Sequence, residues 1–449
     1  MQLRRARPAV APLCTAALVL TAACGGGSGS DDDVTLAYWL WDDRQIAQYQ
    51  QCADDFTAET GVEVDISQYG WEDYWSNLNT QFAARRAPDV FTNHLAFYPQ
   101  FVANEVILPI DEYIEQDEVD LGQYFPGLAD LWVGQDDQRY GLPKDWDTIA
   151  YGYNAEYLED AGLTEDDLWN ATWDPSDGGT FEEIIASLSV DVNGVRGNEP
   201  GFDADNVAVF GLSFDNPSNS ASGQTSWGNF AHSLGFELLA DGNPWGTDYQ
   251  FDDPRLAETL DWFGRMIEAG YVTPLSDLQG VGYVSLFEAG DVALAINGSW
   301  AIGSLTGIDG IEVGFAPLPE GPQGRWSIYN GIADSIAVNT DHPDEAWQWV
   351  KHLGSVECQN IVGEHAVVFP AIPESLEIAE EVRADAGLDV SAYTTYLEEE
   401  ATFLHPVTTN FDQVTQAVGS AVDEILLGSR PAAEALQEAQ EQVDSIMGR

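Results

Sequence analysis

The sequence predicts an α/β protein with enough chain for two or three domains. Three observations carry this reading. From Val34 onward, apolar residues switch repeatedly between a spacing of two and a spacing of three to four, as strands and helices alternating along a chain do. The chain has 449 residues, more than one hydrophobic core usually holds. Its 44% hydrophobic and 11% aromatic content is enough for large cores. No tandem repeat interrupts the pattern.

Residues 1–23 read as an export signal, with Arg4, Arg5 and Arg7 ahead of a mostly apolar run. The run is too short and too interrupted for a stable membrane span. Its end, LTAAC at residues 20–24, resembles a lipoprotein signal box, which makes Cys24 the lipidated residue. Residues 24–33 then form a Gly/Ser tether. A lipid at Cys24 holds the folded body at the outer face of the cytoplasmic membrane without inserting it.

The folded part opens with a strand over residues 36–40. Ile46, Tyr49, Ala53 and Phe56 form a helix stripe ended by Gly61. Val62, Val64 and Ile66 alternate as a strand, Tyr74, Leu78 and Phe82 mark a helix, and residues 88–91 begin the next strand. This βαβα succession predicts a mainly parallel sheet covered on both faces. Ligands of such sheets bind beyond the carboxyl ends of the strands. That places Trp41, Asp43 and Arg44, and later Asn93 and His94, beside a cleft. Thr180 with Glu183 reads as a capping box. Asn193-Gly194 reads as a hairpin turn rather than a calcium loop, because the acidic spacing of an EF-hand is missing. Trp227 opens a helix that ends near Gly235. Leu256, Leu260, Phe263 and Ile267 form a further helix stripe. Residues 292–296 read as a buried strand, with Asn297-Gly298 turning the chain and Trp300 at the next helix start. Ile311, Val313 and Phe315 make one strand, and Ile336 and Val338 another. Asp341 caps a helix with Pro343 just inside it. A last amphipathic helix runs from Pro431.

The charge is extreme: 16 Lys+Arg against 76 Asp+Glu, a formal net charge of −60. Nucleic acid and anionic lipid headgroups are therefore poor partners. A saline habitat and an ordinary acidic secreted protein account for such a balance equally well. The two lysines, Lys144 and Lys351, do not follow glycine, so no phosphate-binding loop of the Walker type is present. Catalytic signatures are missing too: there is no HExxH, no G-x-S-x-G and no G-x-G-x-x-G. Close carboxylate pairs arise by chance among 76 acids and carry no information. No metal set and no cofactor are called for.

What stands out is 15 Trp with short polar side chains in the loops at strand ends. Sugars offer apolar C–H faces to flat rings and hydroxyls to fixed donors and acceptors. Trp41, Trp71, Trp146, Trp227, Trp245, Trp300 and Trp326 lie outside clear helix stripes, whereas Trp262, Trp347 and Trp349 read as packing. Each ring read singly is also an ordinary core residue, and Asp43 and Arg44 are ordinary surface charges. A helix cap or a buried hydrogen bond accounts for His94 equally well.

Three stretches, GDVALAINGSW (290–300), APLPEGPQG (316–324) and HPDEAWQWVKHL (342–353), together resemble the signature region of the family 1 extracellular solute-binding proteins. These are the maltose-binding-like lipoproteins that serve sugar ABC importers. The resemblance covers residue 34 to the C-terminus. It implies a periplasmic-binding-protein-like fold of two lobes with three crossings, near residues 145–148, 311–317 and 367–372. The implied N-terminal lobe is 34–146 with 313–368, and the C-terminal lobe 147–312 with 369–449. Asp147 aligns with an acidic sugar ligand of relatives, and Trp300, closing the GSW motif, with a sugar platform. The family folds the helix before Cys358 back onto the first lobe, near Cys52. With Cys14 lost with the signal and Cys24 lipidated, these two form a disulfide or stand as separate buried thiols. The implied function is capture of a neutral oligosaccharide by a monomer that delivers it to ABC permease subunits, with the ATPase on another chain. A secreted glycan hydrolase or lyase, and an adhesive lectin, are the alternatives.

Overall fold

The computed structural model describes residues 34–278 and 282–449. The export signal, Cys24 and the tether lie outside the described residues. Two sheets organise the fold. The seven-stranded sheet has the order β11-β4-β10-β3-β1-β2, with β12 paired to β10. Its strands are β1 (Thr35–Leu40), β2 (Glu63–Gln68), β3 (Val90–His94), β4 (Leu142–Asp147), β10 (Ser327–Ile336), β11 (Phe369–Pro370) and β12 (Thr402–Leu404). The five-stranded sheet runs β6-β7-β8-β5-β9. It comprises β5 (Ile149–Asn154), β6 (Val190–Asp191), β7 (Val207–Phe214), β8 (Val292–Gly298) and β9 (Val313–Pro317).

The first βαβαβ stretch folds as its periodicity dictates. β1 pairs in parallel with both β2 and β3. The helix Ile46–Thr60 buries Tyr49, Cys52, Ala53 and Phe56, and ends at Gly61, whose φ of 79° favours a residue without Cβ. The sheets are mixed rather than mainly parallel. β10, arriving from late in the chain, lies antiparallel between β3 and β4. Local alternation cannot announce such a partner, because pairing direction is set by the route of the chain. Opposite Ile332 and Ala333, β4 carries one extra residue, Lys144. This bulge coincides with a buried ammonium that donates to Tyr38 Oη at 2.9 Å and Thr92 Oγ1 at 3.0 Å. Lys144 also stands 3.6 Å from Asp334 and over the Tyr49 ring, so one cation ties together β1, β3, β4, β10 and the first helix. Burial lowers the Lys144 pKa and raises that of Asp334, while their attraction opposes both shifts.

Several sequence expectations are corrected. β8 continues through Asn297 and Gly298, because Asn297 and Gly298 pair with Ala150 and Ile149. Ile311 precedes β9, and Val338 lies beyond β10 and is exposed. His342, not Asp341, precedes the helix Pro343–Leu353, and no side chain caps it. The helix Gly179–Leu188 begins one residue before Thr180, so Thr180 is inside it and its hydroxyl accepts from Thr172 N instead. The observed capping box is Thr164 with Asp167. Asn193-Gly194 does make a turn, closed by Asp191 N–H donating to the Val195 carbonyl. The implied lobe boundaries also move. β9 pairs with β5, so the passage to the seven-stranded sheet follows Pro317, and β11 pairs with β4, which puts Phe369 and Pro370 with that sheet.

The large apolar clusters reach across both sheets. One surrounds the five-stranded sheet, with Trp173, Phe181, Trp227, Phe230 and Trp262 at its centre. Another joins the first helix to the Trp349 helix under the seven-stranded sheet. Cys52 and Cys358 are bonded there, linking the helix Ile46–Thr60 to the helix Val356–His365 across 306 residues of sequence. No helix of the described residues is long and apolar enough to cross a membrane.

Candidate functional site

The chain passes from β4 to β5 through Thr148, and both sheets end at one cavity of about 460 Å³. The loop after β1 contributes Trp41 to Gln45, and the end of β3 contributes His94. The helix Trp71–Ala84 begins with Trp71 in the wall. From the other half come Gln224 and Thr225 after β7, Trp300 after β8, and Asp412. Asp145, Asp147 and Asn330 form part of the lining where the halves meet, with His405 beside them.

The rings have defined supports. Trp41 meets Trp71 edge to face at 5.2 Å and also touches Tyr74 and Trp75. Trp71 is 38% exposed, unusual for so large an apolar side chain, and the exposed ring lines the cavity. Trp300 sits in the single turn Ser299–Ala301 that leaves β8. A Cβ added at Gly298 would run into the Trp300 ring, so glycine there lets the indole lie against its own strand.

Six aspartates stand among the polar groups of the lining. Asp42 accepts from Arg44 N and Gln45 Nε2, and this pins the turn that displays Asp43 and Arg44. Burial raises the carboxyl pKa of Asp42, Asp215 and Asp412 above the ordinary range. Burial takes Asp145 to about 7, although Lys144 pulls the other way. Its Oδ2 has no partner in the protein. Asp147 is engaged at both oxygens: Gln224 Nε2 donates to Oδ1 at 3.0 Å, and the Asn330 side-chain amide lies 2.9 Å from Oδ2. The same Asn330 amide lies 2.9 Å from His94 Nε2. Arg44 is the only lysine or arginine in the lining.

Of the residues singled out from sequence, the cavity gathers Trp41, Asp43, Arg44, His94, Asp147 and Trp300. Asn93 is not among them. It neighbours His94 on a strand, so its side chain takes the opposite face, where it donates to Ser335 Oγ and accepts from His94 N. Trp227 is also absent: its indole is 1% exposed, packs in the core and donates to the Pro217 carbonyl. Its predecessors Gln224 and Thr225 reach the cavity instead. Trp71, a free ring in the sequence but not one of its site candidates, lines the cavity because it opens the helix Trp71–Ala84. Asn330, Asp145 and His405 gave no local signal. Of the other free rings, Trp146 also lines the cavity, buried and donating to the Pro370 carbonyl, whereas Trp245 packs on Tyr98 and Trp326 bonds the Gln323 carbonyl.

The chain is 24% identical over 404 residues to the maltotriose-binding protein of Pyrococcus abyssi, which covers 86% of this chain and 77% of that protein. The crystal structure of M. tuberculosis UspC superposes with a TM-score of 0.70 at 26% identity, covering 92% of this chain and all of that one. An ABC substrate-binding protein from Listeria monocytogenes, solved in complex with cycloalternan, has a TM-score of 0.80 at 17% identity, covering 93% of this chain and 100% of that one. The maltose/maltodextrin-binding domain of Bdellovibrio bacteriovorus, bound to maltotriose, has a TM-score of 0.71 at 18% identity and similar coverage. The fold of these neighbours is the two-lobed one, and the residues that match the family model run from 51 to 389. The chain belongs to the bacterial extracellular solute-binding proteins.

Proposed function

We propose that this chain is the substrate-binding lipoprotein of a carbohydrate ABC importer. It captures a neutral oligosaccharide in the cavity and delivers it to membrane permease subunits whose ATPase is a separate chain. The observation that carries this reading is the joint placement of Trp71 and Trp41 from one half and Trp300 from the other. They surround short polar side chains in one cavity between the two sheets. Rings of that kind take the C–H faces of sugars, and the carboxyl and amide groups take hydroxyls. Six aspartates against one arginine disfavour an anionic ligand.

The passages at Thr148, between Pro317 and Ser327, and after Pro370 serve as the hinge about which the lobes close. The family membership disfavours a hydrolase, a lyase or a lectin. Export, cleavage before Cys24, lipidation of that residue and a monomeric state complete the proposal. The test is a thermal-shift and calorimetric screen of an oligosaccharide panel that includes maltotriose, with small-angle scattering before and after addition. A sugar that raises the melting temperature and contracts the molecule without being consumed supports the importer reading. Turnover of the sugar, or no response to any member of the panel, overturns it.

A further inference from the structure

The contact between His94, Asn330 and Asp147 poses a problem of counting hydrogens. His94 Nδ1 accepts from Ala96 N–H at 3.0 Å. A neutral imidazole has one accepting nitrogen, so the ring proton is on Nε2. Burial and the nearby His405 keep His94 well below its ordinary pKa, consistent with the neutral ring. Nε2–H must then donate to the Asn330 atom 2.9 Å away. With Nδ2 at that point, two donors would face each other. A half-turn of the terminal amide puts Oδ1 there and moves no other heavy atom, and such ambiguities are resolved by the hydrogen bonds. The same atom, now Oδ1, stands 2.9 Å from Asp147 Oδ2. Two oxygens at that separation need a proton between them, and an amide oxygen has none to give.

We infer that Asp147 occupies the ligand-free site as a neutral carboxylic acid that donates to Asn330 Oδ1, and that Asp147 and His94 together turn the Asn330 NH2 toward the ligand. Asp147 Oδ1 keeps its acceptor role toward Gln224 Nε2. The other atom of the Asn330 amide has no partner in the protein, and Asn330 lines the cavity. Asp147 is thus a positioning residue: it fixes which end of an amide the ligand meets and presents an N–H donor where a carboxylate would present charge. The groups around it favour the neutral acid. Burial acts first, and Asp145 on the same strand pushes in the same direction. Tyr329 on β10 is raised by burial and by Asp147 itself, His94 on β3 is lowered by burial, and His405 is lowered to about 4. None of these is a cation.

The tests use the ligand-free protein, so their outcome does not depend on whether the ligand is a sugar. Infrared spectra at neutral pH should contain the carbonyl stretch of a protonated carboxyl that Asp147→Asn removes and Asp145→Asn leaves in place. The stability of the wild type relative to folded Asp147→Asn should fall as pH rises above the ordinary carboxylate range. The folded wild type retains a proton there that its unfolded chain has released. If the variant does not fold, 15N spectra of histidine-labelled wild type still decide the question, since His94 should be protonated at Nε2. A His94 proton on Nδ1, no band lost from folded Asp147→Asn, or a relative stability that rises with pH would each overturn the inference.

Discussion

A methyl group on Gly298 would occupy the space of the Trp300 ring, so the backbone beneath this indole fixes its tilt. A ring held in this way loses little side-chain entropy when a ligand lands on it. Trp300→Ala should therefore weaken oligosaccharide binding by roughly 2–4 kcal/mol, from lost apolar burial and ring stacking. The melting temperature without ligand should barely change, and calorimetric titration beside a ligand-free melt checks both. A sharp fall in that melt with unchanged affinity would make Trp300 a core residue. Trp41, Asp43 and Arg44 were legible because they follow the first strand, where α/β sheets hold ligands. Asn93 was misplaced because residue types do not reveal which face of β3 points to the cavity. Asn330 was invisible, since it touches Asp147 only after a strand 183 residues further on has entered the sheet.

Secondary-structure elements were easiest to read where an apolar stripe and a terminator coincide, as in the helix Ile46–Thr60 with its left-handed Gly61. They were hardest to read where a polar signal had rival uses. Thr180 resembles a cap but spends its hydroxyl on Thr172, and Asn297-Gly298 resembles a turn but extends β8. The bond between Cys52 and Cys358 restrains two helices far apart in sequence. Closing so long a loop removes much freedom from the unfolded chain, so reduction, or Cys52→Ala with Cys358→Ala, should cost about 2–5 kcal/mol of stability. Denaturant melts with and without a thiol reductant measure this. Coincident transitions, or two free thiols counted per unfolded mature chain without reductant, would show that the pair is not formed.

At the scale of the whole molecule, an α/β chain of two or three domains with a ligand site at strand ends was readable from alternation and length, and the two lobes from the family resemblance. The mixed pairing was not, because β10 and β12 reach the first sheet only after the chain has built the second. A formal charge of −60 repels itself in the folded state. Raising NaCl from about 0.01 M to about 1 M shortens the Debye length from roughly 30 Å to 3 Å, and the melting temperature should climb across that range. A flat or falling melt would mean that the acids are already compensated within the fold.

The lysine pair carries a practical consequence. Lys144 is sealed beneath the sheet at 0% side-chain exposure, whereas Lys351 is 43% exposed on a helix that contributes nothing to the cavity wall. An amine-directed reagent therefore meets one side-chain amine on the described surface. A dye or surface linker placed on Lys351 would sit on an element outside the cavity wall.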